Sequence, residues 1–291
     1  MVLAVVEGVT RSSRGGRFTW HCTLAVAVMA GAGGAYTYAV SEQGNAADQP
    51  VRTAVAAGPA SGGPAATAPA VLPVLPFNAK LTSHDIPVAG GGVRDGGCSG
   101  ALIDPDWIVT AGHCFHDIDG ARVGGRPQYR MTVTVGKTRD GDPDGRTADV
   151  VDVRQSPVND LAVAKLSTPV TGIVPLTLPG RPPTAGQHLQ FAGWGSTSAT
   201  VVVPSDHLKR GQFEVSKIKA STLEADPLVP RTVENSPCHD DSGAPYFVSA
   251  DDVTGELVAI EDSGPECPQP GTEILARVDV VVGWIQQQLG S

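Results

Sequence analysis

Cys238-His239-Asp240-Asp241-Ser242-Gly243-Ala244-Pro245 is the stretch on which the reading of this chain turns. It places a serine hydroxyl between an acidic pair and a glycine, just downstream of a cysteine. Two earlier segments matter beside it: Thr110-Ala111-Gly112-His113-Cys114 and Asn159-Asp160-Leu161-Ala162-Val163. Taken singly, each has a plain explanation. Ser-Gly is a common turn, a lone His a surface or core residue, and Asn-Asp before an apolar run a turn end. Together they supply the groups that nucleophilic catalysis by serine requires. A hydroxyl is a weak nucleophile at neutral pH and needs a base beside it. Imidazole can take the proton and return it, because its ordinary pKa lies near neutrality. A carboxylate behind the ring fixes its tautomer and stabilises the imidazolium.

Each segment resembles a signature segment of the trypsin/chymotrypsin family of serine peptidases, in its bacterial secreted form. The resemblance runs from about Pro76 to Gly290 and includes Gly193-Trp194-Gly195. The order His, Asp, Ser is also that family's, and differs from the subtilisin-like and α/β-hydrolase orders. The resemblance implies an all-β fold: two packed antiparallel six-stranded β-barrels with a C-terminal α-helix and the active site in the cleft between them. His113 and Asp160 would come from the first barrel and Ser242 from the second. It implies a serine endopeptidase that hydrolyses peptide bonds in a protein or peptide substrate through an acyl-enzyme. Ser242 would be the nucleophile, His113 the base and acid, and Asp160 the orienting carboxylate, with no cofactor and no metal. The backbone N–H groups of Asp240 and Ser242 would form the oxyanion hole. Ser236 would lie at the base of the specificity pocket and Gly264 and Gly271 on its walls. Cys98 would pair with Cys114, bracketing the strand and turn that present His113, and Cys238 with Cys267, joining the nucleophile loop to the pocket's other wall.

Three departures from the family pattern bear on function. Asp240 stands where the family has a glycine that supplies an oxyanion donor. Asp tolerates left-handed backbone angles better than most residues, but its carboxylate would oppose a developing negative charge if it pointed there. No Ile/Val-led tetrapeptide precedes Cys98, so Asp241 lacks the new N-terminus that pairs with it in family zymogens. Another cation, such as a buried Arg, or a site formed without cleavage would have to take its place. Ser236 and the glycines imply a roomy pocket for an apolar side chain, whereas Glu261 and Asp262 on the wall strand pull toward basic substrates. Asp262 also threatens that strand's pairing with substrate backbone. These departures sustain a rival reading: a weakly active or inactive homologue serving as an extracellular binding module. An esterase of restricted range is a third reading.

Composition agrees with an exported β protein. The 291 residues carry 35 Gly and 24 Pro, with 41% hydrophobic and 18% charged residues, which favours strands joined by many turns. A formal charge of -9 argues against nucleic acid as a partner. Arg11, Arg14 and Arg17 precede a small-residue apolar stretch from Phe18 to Val40, so residues 1–45 read as a signal peptide or an N-terminal membrane anchor. Cys22 lies inside it as a passenger. Residues 46–73 are Ala-, Gly- and Pro-rich and read as a linker or propeptide. The peptidase-like domain is placed at 74–291, in a secreted or extracytoplasmic monomer. Trp107–Thr110, Met131–Val135, Leu161–Leu166, Leu189–Ala192 and Leu257–Ile260 read as strands, and Val278 to Leu289 as a helix. A zinc set of His113, Cys114 and His116 lacks a second spaced pair. Asp140, Asp142, Asp144 and Gly145 open like a calcium loop but lack the closing Glu, and read as an acidic surface loop. His116, Asp117 and Asp119 read as a solvated loop.

Overall fold

Short β runs separated by turns close on themselves twice. The computed structural model describes residues 74–88, 90–202 and 205–290. All belong to the second of the two units into which the chain divides, Thr67–Ser291. The expectations for residues 1–45 and 46–73 lie outside the described residues.

The first barrel comprises β1 (Asn78–Pro87), β2 (Val93–Asp104), β3 (Trp107–Ala111), β4 (Met131–Val135), β5 (Arg146–Gln155) and β6 (Leu161–Leu166). Its strands close in the order β1-β2-β3-β6-β5-β4. The second comprises β7 (His188–Gly193), β8 (Lys209–Ile218), β9 (Thr222–Pro227), β10 (Pro245–Val248), β11 (Glu256–Ser263) and β12 (Glu273–Arg277), closed as β10-β11-β12-β9-β8-β7. Every pairing is antiparallel. Closure removes the sheet edges that would otherwise invite association. The five expected strands all fall within observed ones. The terminal helix is shorter than its apolar spacing implied: a 3-10 turn at Asp279–Val281 precedes α1 (Val282–Leu289).

Strand alternation decides the cores. In β4, Met131, Val133 and Val135 are buried while Thr132 and Thr134 are not. In the second barrel Phe191, Phe213 and Tyr246 meet with ring centroids 5.2–6.1 Å apart, the tilted and edge-on contacts aromatic rings prefer. The barrels share an apolar seam in which Phe77 meets Phe247 edge-on at 5.1 Å. Polar stitches cross it at defined points. The Asn159 amide donates to the Ser221 and Arg277 carbonyls at 3.1 and 2.9 Å. The next residue is Asp160, so this stitch ties the carboxylate's position in the first barrel to the wall of the second.

Candidate active site

His113 sits in a 3-10 turn, Gly112–Cys114, that directly follows β3. Strand pairing brings β3 beside β6, with Ala111 opposite Leu161, so the ends carrying His113 and Asp160 emerge side by side. The His113 ring Nδ1 lies 2.6 Å from Asp160 Oδ2, and the His113 backbone N–H donates to Asp160 Oδ1 at 3.0 Å. Arg122 donates to the same Oδ1 at 3.0 Å and to the Asn159 carbonyl at 3.2 Å. Burial works to raise the Asp160 pKa, but the bonds and charges of His113 and Arg122 outweigh it and hold the carboxyl below its ordinary value. Gly112 is required here: a Cβ would come within 2.5 Å of Asp160 Oδ1. The ring is thus gripped at Nδ1, and Asp160 leaves Nε2 unengaged.

Ser242 follows a tight turn in which the Asp241 N–H donates to the Cys238 carbonyl at 3.1 Å. The Ser242 carbonyl accepts from the Ser99 N–H at 2.9 Å. Ser99 adjoins Cys98, which is disulfide-bonded to Cys114, the neighbour of His113. Covalent and hydrogen bonds therefore link the serine loop to the histidine turn across the cleft. The Gly243 N–H donates to the Glu261 carbonyl at 2.8 Å, fastening the same loop to β11. Gly243 has φ of 82°, and a side chain there would strike Thr110 Oγ1. The second disulfide joins Cys238 to Cys267.

Asp240 has φ of 72°, the left-handed region that glycine occupies without strain. Its half-buried carboxyl packs against Gly97 of β2, where a Cβ would come within 2.8 Å of Asp240 Cγ. Burial raises its pKa, and the Gly97 N–H bond opposes that rise. It lines a cavity of about 700 Å³ with Gly96, Gly97 and Trp194. A separate pocket of about 250 Å³ opens beside Ser242, lined by Cys238, Asp262, Ser263, Gly264, Cys267 and Glu273 among others. Asp240 is not on that lining.

Asp241 is fully buried. Its Oδ1 accepts from the Gly195 N–H at 2.7 Å and its Oδ2 from the Cys238 N–H at 2.9 Å. Lys209 Nζ, also fully buried, lies 2.5 Å from that Oδ2. Burial pushes the Asp241 carboxyl upward, and the Lys209 charge and these donors pull it back. The donors converge on the carboxylate form, so the pair stands as an ion pair.

A family model described as Trypsin matches residues 77–285. Among curated proteins the chain is similar to "Serine protease 1" of Canis lupus familiaris, 26% identical over 218 residues that cover 67% of this chain and 80% of the relative. It is 27% identical to "Anionic trypsin" of Bos taurus over 214 residues, with the same two shares. It is 26% identical to "Brachyurin" of Leptuca pugilator over 209 residues, covering 66% of this chain and 88% of that one. The chain belongs to the trypsin family. It is a serine endopeptidase, a hydrolase acting on protein or peptide substrates.

In this trypsin-family chain the expected wall residue Gly264 lines the pocket beside Ser242, whereas Ser236 and Gly271 are not among its lining residues. Ser236 is wholly buried with its hydroxyl on Asn235 Oδ1 at 3.0 Å, and Gly271 lies against Pro265. The pocket instead meets Glu273, which is buried, ion-paired to Arg231 and packed so closely behind Gly264 that no Cβ fits there. Burial first, then the charge of Asp241, lifts the Glu273 pKa to about 7 against the pull of Arg231. Glu261 is buried and accepts from the Tyr246 hydroxyl at 2.9 Å. Burial and the neighbouring Glu273 push its pKa well up, against the pull of the Tyr246 hydroxyl. Asp262 is the extra residue of a β-bulge between Glu261 and Ser263. Bulges re-aim side chains, and the side chain of Asp262 meets His113 and Asp160: ring-nitrogen and carboxylate-oxygen atoms of the three lie within 4.8 Å of one another. Burial and then the Asp160 charge raise the Asp262 pKa to about 6.

The zinc set fails on chemistry, because Cys114 is spent in a disulfide and offers no thiolate. The Asp142 carboxylate is engaged by the N–H groups of Thr138 and Arg139 at 2.9 and 2.8 Å, and Asp140 pairs with Lys80 at 2.7 Å. In the other acidic loop Asp117 Oδ1 accepts from the Asp119 and Ala121 N–H groups. Sequence reasoning gave Asn159 no role of its own and missed Arg122, Lys209 and Glu273. No helix among the described residues is long and apolar enough to cross a membrane.

Proposed function

We propose that His113, Asp160 and Ser242 form the catalytic triad of this endopeptidase. As Ser242 Oγ attacks the scissile carbonyl, its proton passes to His113 Nε2 and the imidazolium is stabilised by Asp160. The C–N bond then breaks as His113 protonates the leaving amine, and water hydrolyses the acyl-enzyme by the same steps. The N–H groups of Asp240 and Ser242 face the oxyanion, each such donor being worth about 100- to 1,000-fold in turnover. The observation that carries the reading is the grip of Asp160 on His113 Nδ1, which favours the tautomer whose Nε2 can accept a proton. The left-handed backbone at Asp240, with its carboxyl on Gly97, supports an open oxyanion hole over a repelling one. Arg231 is ion-paired to Glu273 behind the pocket, and the Glu261 carboxyl is engaged by the Tyr246 hydroxyl, which supports an uncharged side chain on the acyl side of the scissile bond.

We read the protein as a monomer secreted or held outside the cytoplasm. The two disulfides support an oxidising compartment. The triad is tested by turnover of a peptide amide substrate: Ser242→Ala lowers kcat by about 10⁴-fold or more, with the fold retained by circular dichroism. Undiminished turnover in that variant overturns the assignment.

A further inference from the structure

We propose that Lys209 is the internal cation that sets the serine loop, so that the peptidase is active without a cut that creates a new N-terminus. The inference rests on the triad reading above and deepens it. Asp241 directly precedes the proposed nucleophile, and its carboxylate organises the turn that carries both proposed oxyanion donors. Lys209 Nζ touches Asp241 Oδ2 at 2.5 Å and donates to the Ser196 and Ser236 carbonyls at 3.1 and 3.0 Å. Those three acceptors use all three ammonium protons. Gly195 and Cys238 N–H groups complete the carboxylate. The two charged side chains have no solvent exposure. Gly193 and Gly195 pack against the carboxyl so closely that a Cβ on either would overlap it. A second ammonium would have to displace Lys209 to reach Asp241.

The start of the domain is committed elsewhere. The Leu75 N–H donates to the Asp252 carbonyl, and the Pro76 and Phe77 carbonyls accept from Gly136 and Leu102 N–H groups at 3.0 and 2.8 Å. Leu75 and Phe77 are fully buried in the barrel seam. The Lys209 pair is built from the body of the second barrel, because Lys209 opens β8 and is fixed in register opposite Gly193 of β7. Removing the Lys209 charge strands a buried carboxylate, which must then move toward water or take a proton. Either response lets the turn relax and takes the Asp240 N–H out of line. Lys209 is thus a positioning residue.

The test uses the full chain. Intact wild-type protein, shown by mass spectrometry to be uncut after the assay, turns over a peptide amide substrate, and limited proteolysis upstream of residue 74 changes kcat little. Lys209→Met lowers kcat by about 100- to 1,000-fold per site titrated with a fluorophosphonate, a readout that discounts unfolded molecules, while Lys209→Arg restores part of it. Activity that appears only after the upstream cut overturns the inference and leaves the triad reading standing. So does a Lys209→Met variant with native kcat per titrated site. Should Lys209→Met fail to fold, the comparison of intact with cut wild type decides alone. Absence of turnover before and after cutting overturns the triad reading and this inference with it.

Discussion

The two barrels furnish the cleft by opposite means. The first barrel's half is wet: the His113 side chain is 41% exposed and Arg122 40%, and their partner Asp160 is held by hydrogen bonds between partly solvated groups. The second barrel's half is dry. Behind Ser242 lie Lys209 with Asp241, Arg231 with Glu273, and Glu261 with Tyr246, nearly all removed from water. A half that exchanges protons with substrate needs a titratable, reachable ring. A half that holds a backbone turn in a left-handed conformation needs charges that cannot relax. With the proposed triad, the contrast assigns rate to the exposed constellation and rigidity to the buried one.

The buried half breaks hardest in stability. Arg231→Met at alkaline pH leaves the Glu273 carboxylate buried without its cation, at a cost of about 3–5 kcal/mol. The same change costs less as pH falls, because Glu273, its pKa raised to about 7 even with Arg231 beside it, then takes up a proton. Arg122→Ala, on the wet side, changes stability by only about 0–1 kcal/mol. Urea unfolding of the two variants at alkaline pH checks the order, and equal costs would erase the distinction between the halves.

Asp262 stands where the halves meet, and its effect is smaller and depends on pH. Its folded pKa is raised from the ordinary 3.8 to about 6, by burial first and then by Asp160, against the opposing pull of His113 and Arg122. A carboxyl with a raised folded pKa favours the folded state fully below its unfolded value, and that favour is lost as pH rises through the folded value. Asp262→Asn, which stays neutral, should therefore match the wild-type Tm near pH 4 and exceed it at pH 7. A Tm difference that is flat across this range would mean that Asp262 does not face Asp160. The smallest effect expected is that of Asp240→Gly. With its carboxyl on Gly97 rather than at the oxyanion, the change in kcat stays well short of the 100- to 1,000-fold that loss of a donor brings. A large gain in kcat would show that the carboxylate acts as a brake.

The proposed triad was readable in the sequence and most of the charges that hold it were not, for a physical reason. His113, Asp160 and Ser242 lie in short contiguous segments whose chemistry is local. The buried charges look like ordinary surface residues, since Lys and Glu are rarely interior. The signal that could have found them is parity. In β8, Lys209 shares its face with Gly211, Phe213 and Val215, and in β12 Glu273 shares its face with Leu275, all of them buried. A charge in phase with an apolar alternation is aimed inward and must have a partner. Strands β1 and β5 escaped notice because their inward positions include small or polar residues such as Asn78, Ser83 and Ala148. Asp262 was legible as a departure but not in its direction, because a bulge has no sequence mark of its own. The possible buried Arg beside Asp241 proved to be Lys209.

The most direct measurement is to label the intact, disulfide-bonded protein with a fluorophosphonate at neutral pH and map the modified residue by peptide mass spectrometry. One adduct per chain is expected, on Ser242, formed far more slowly in His113→Ala and Asp160→Asn. No adduct, or an adduct on another serine at a rate indifferent to those changes, would contradict it.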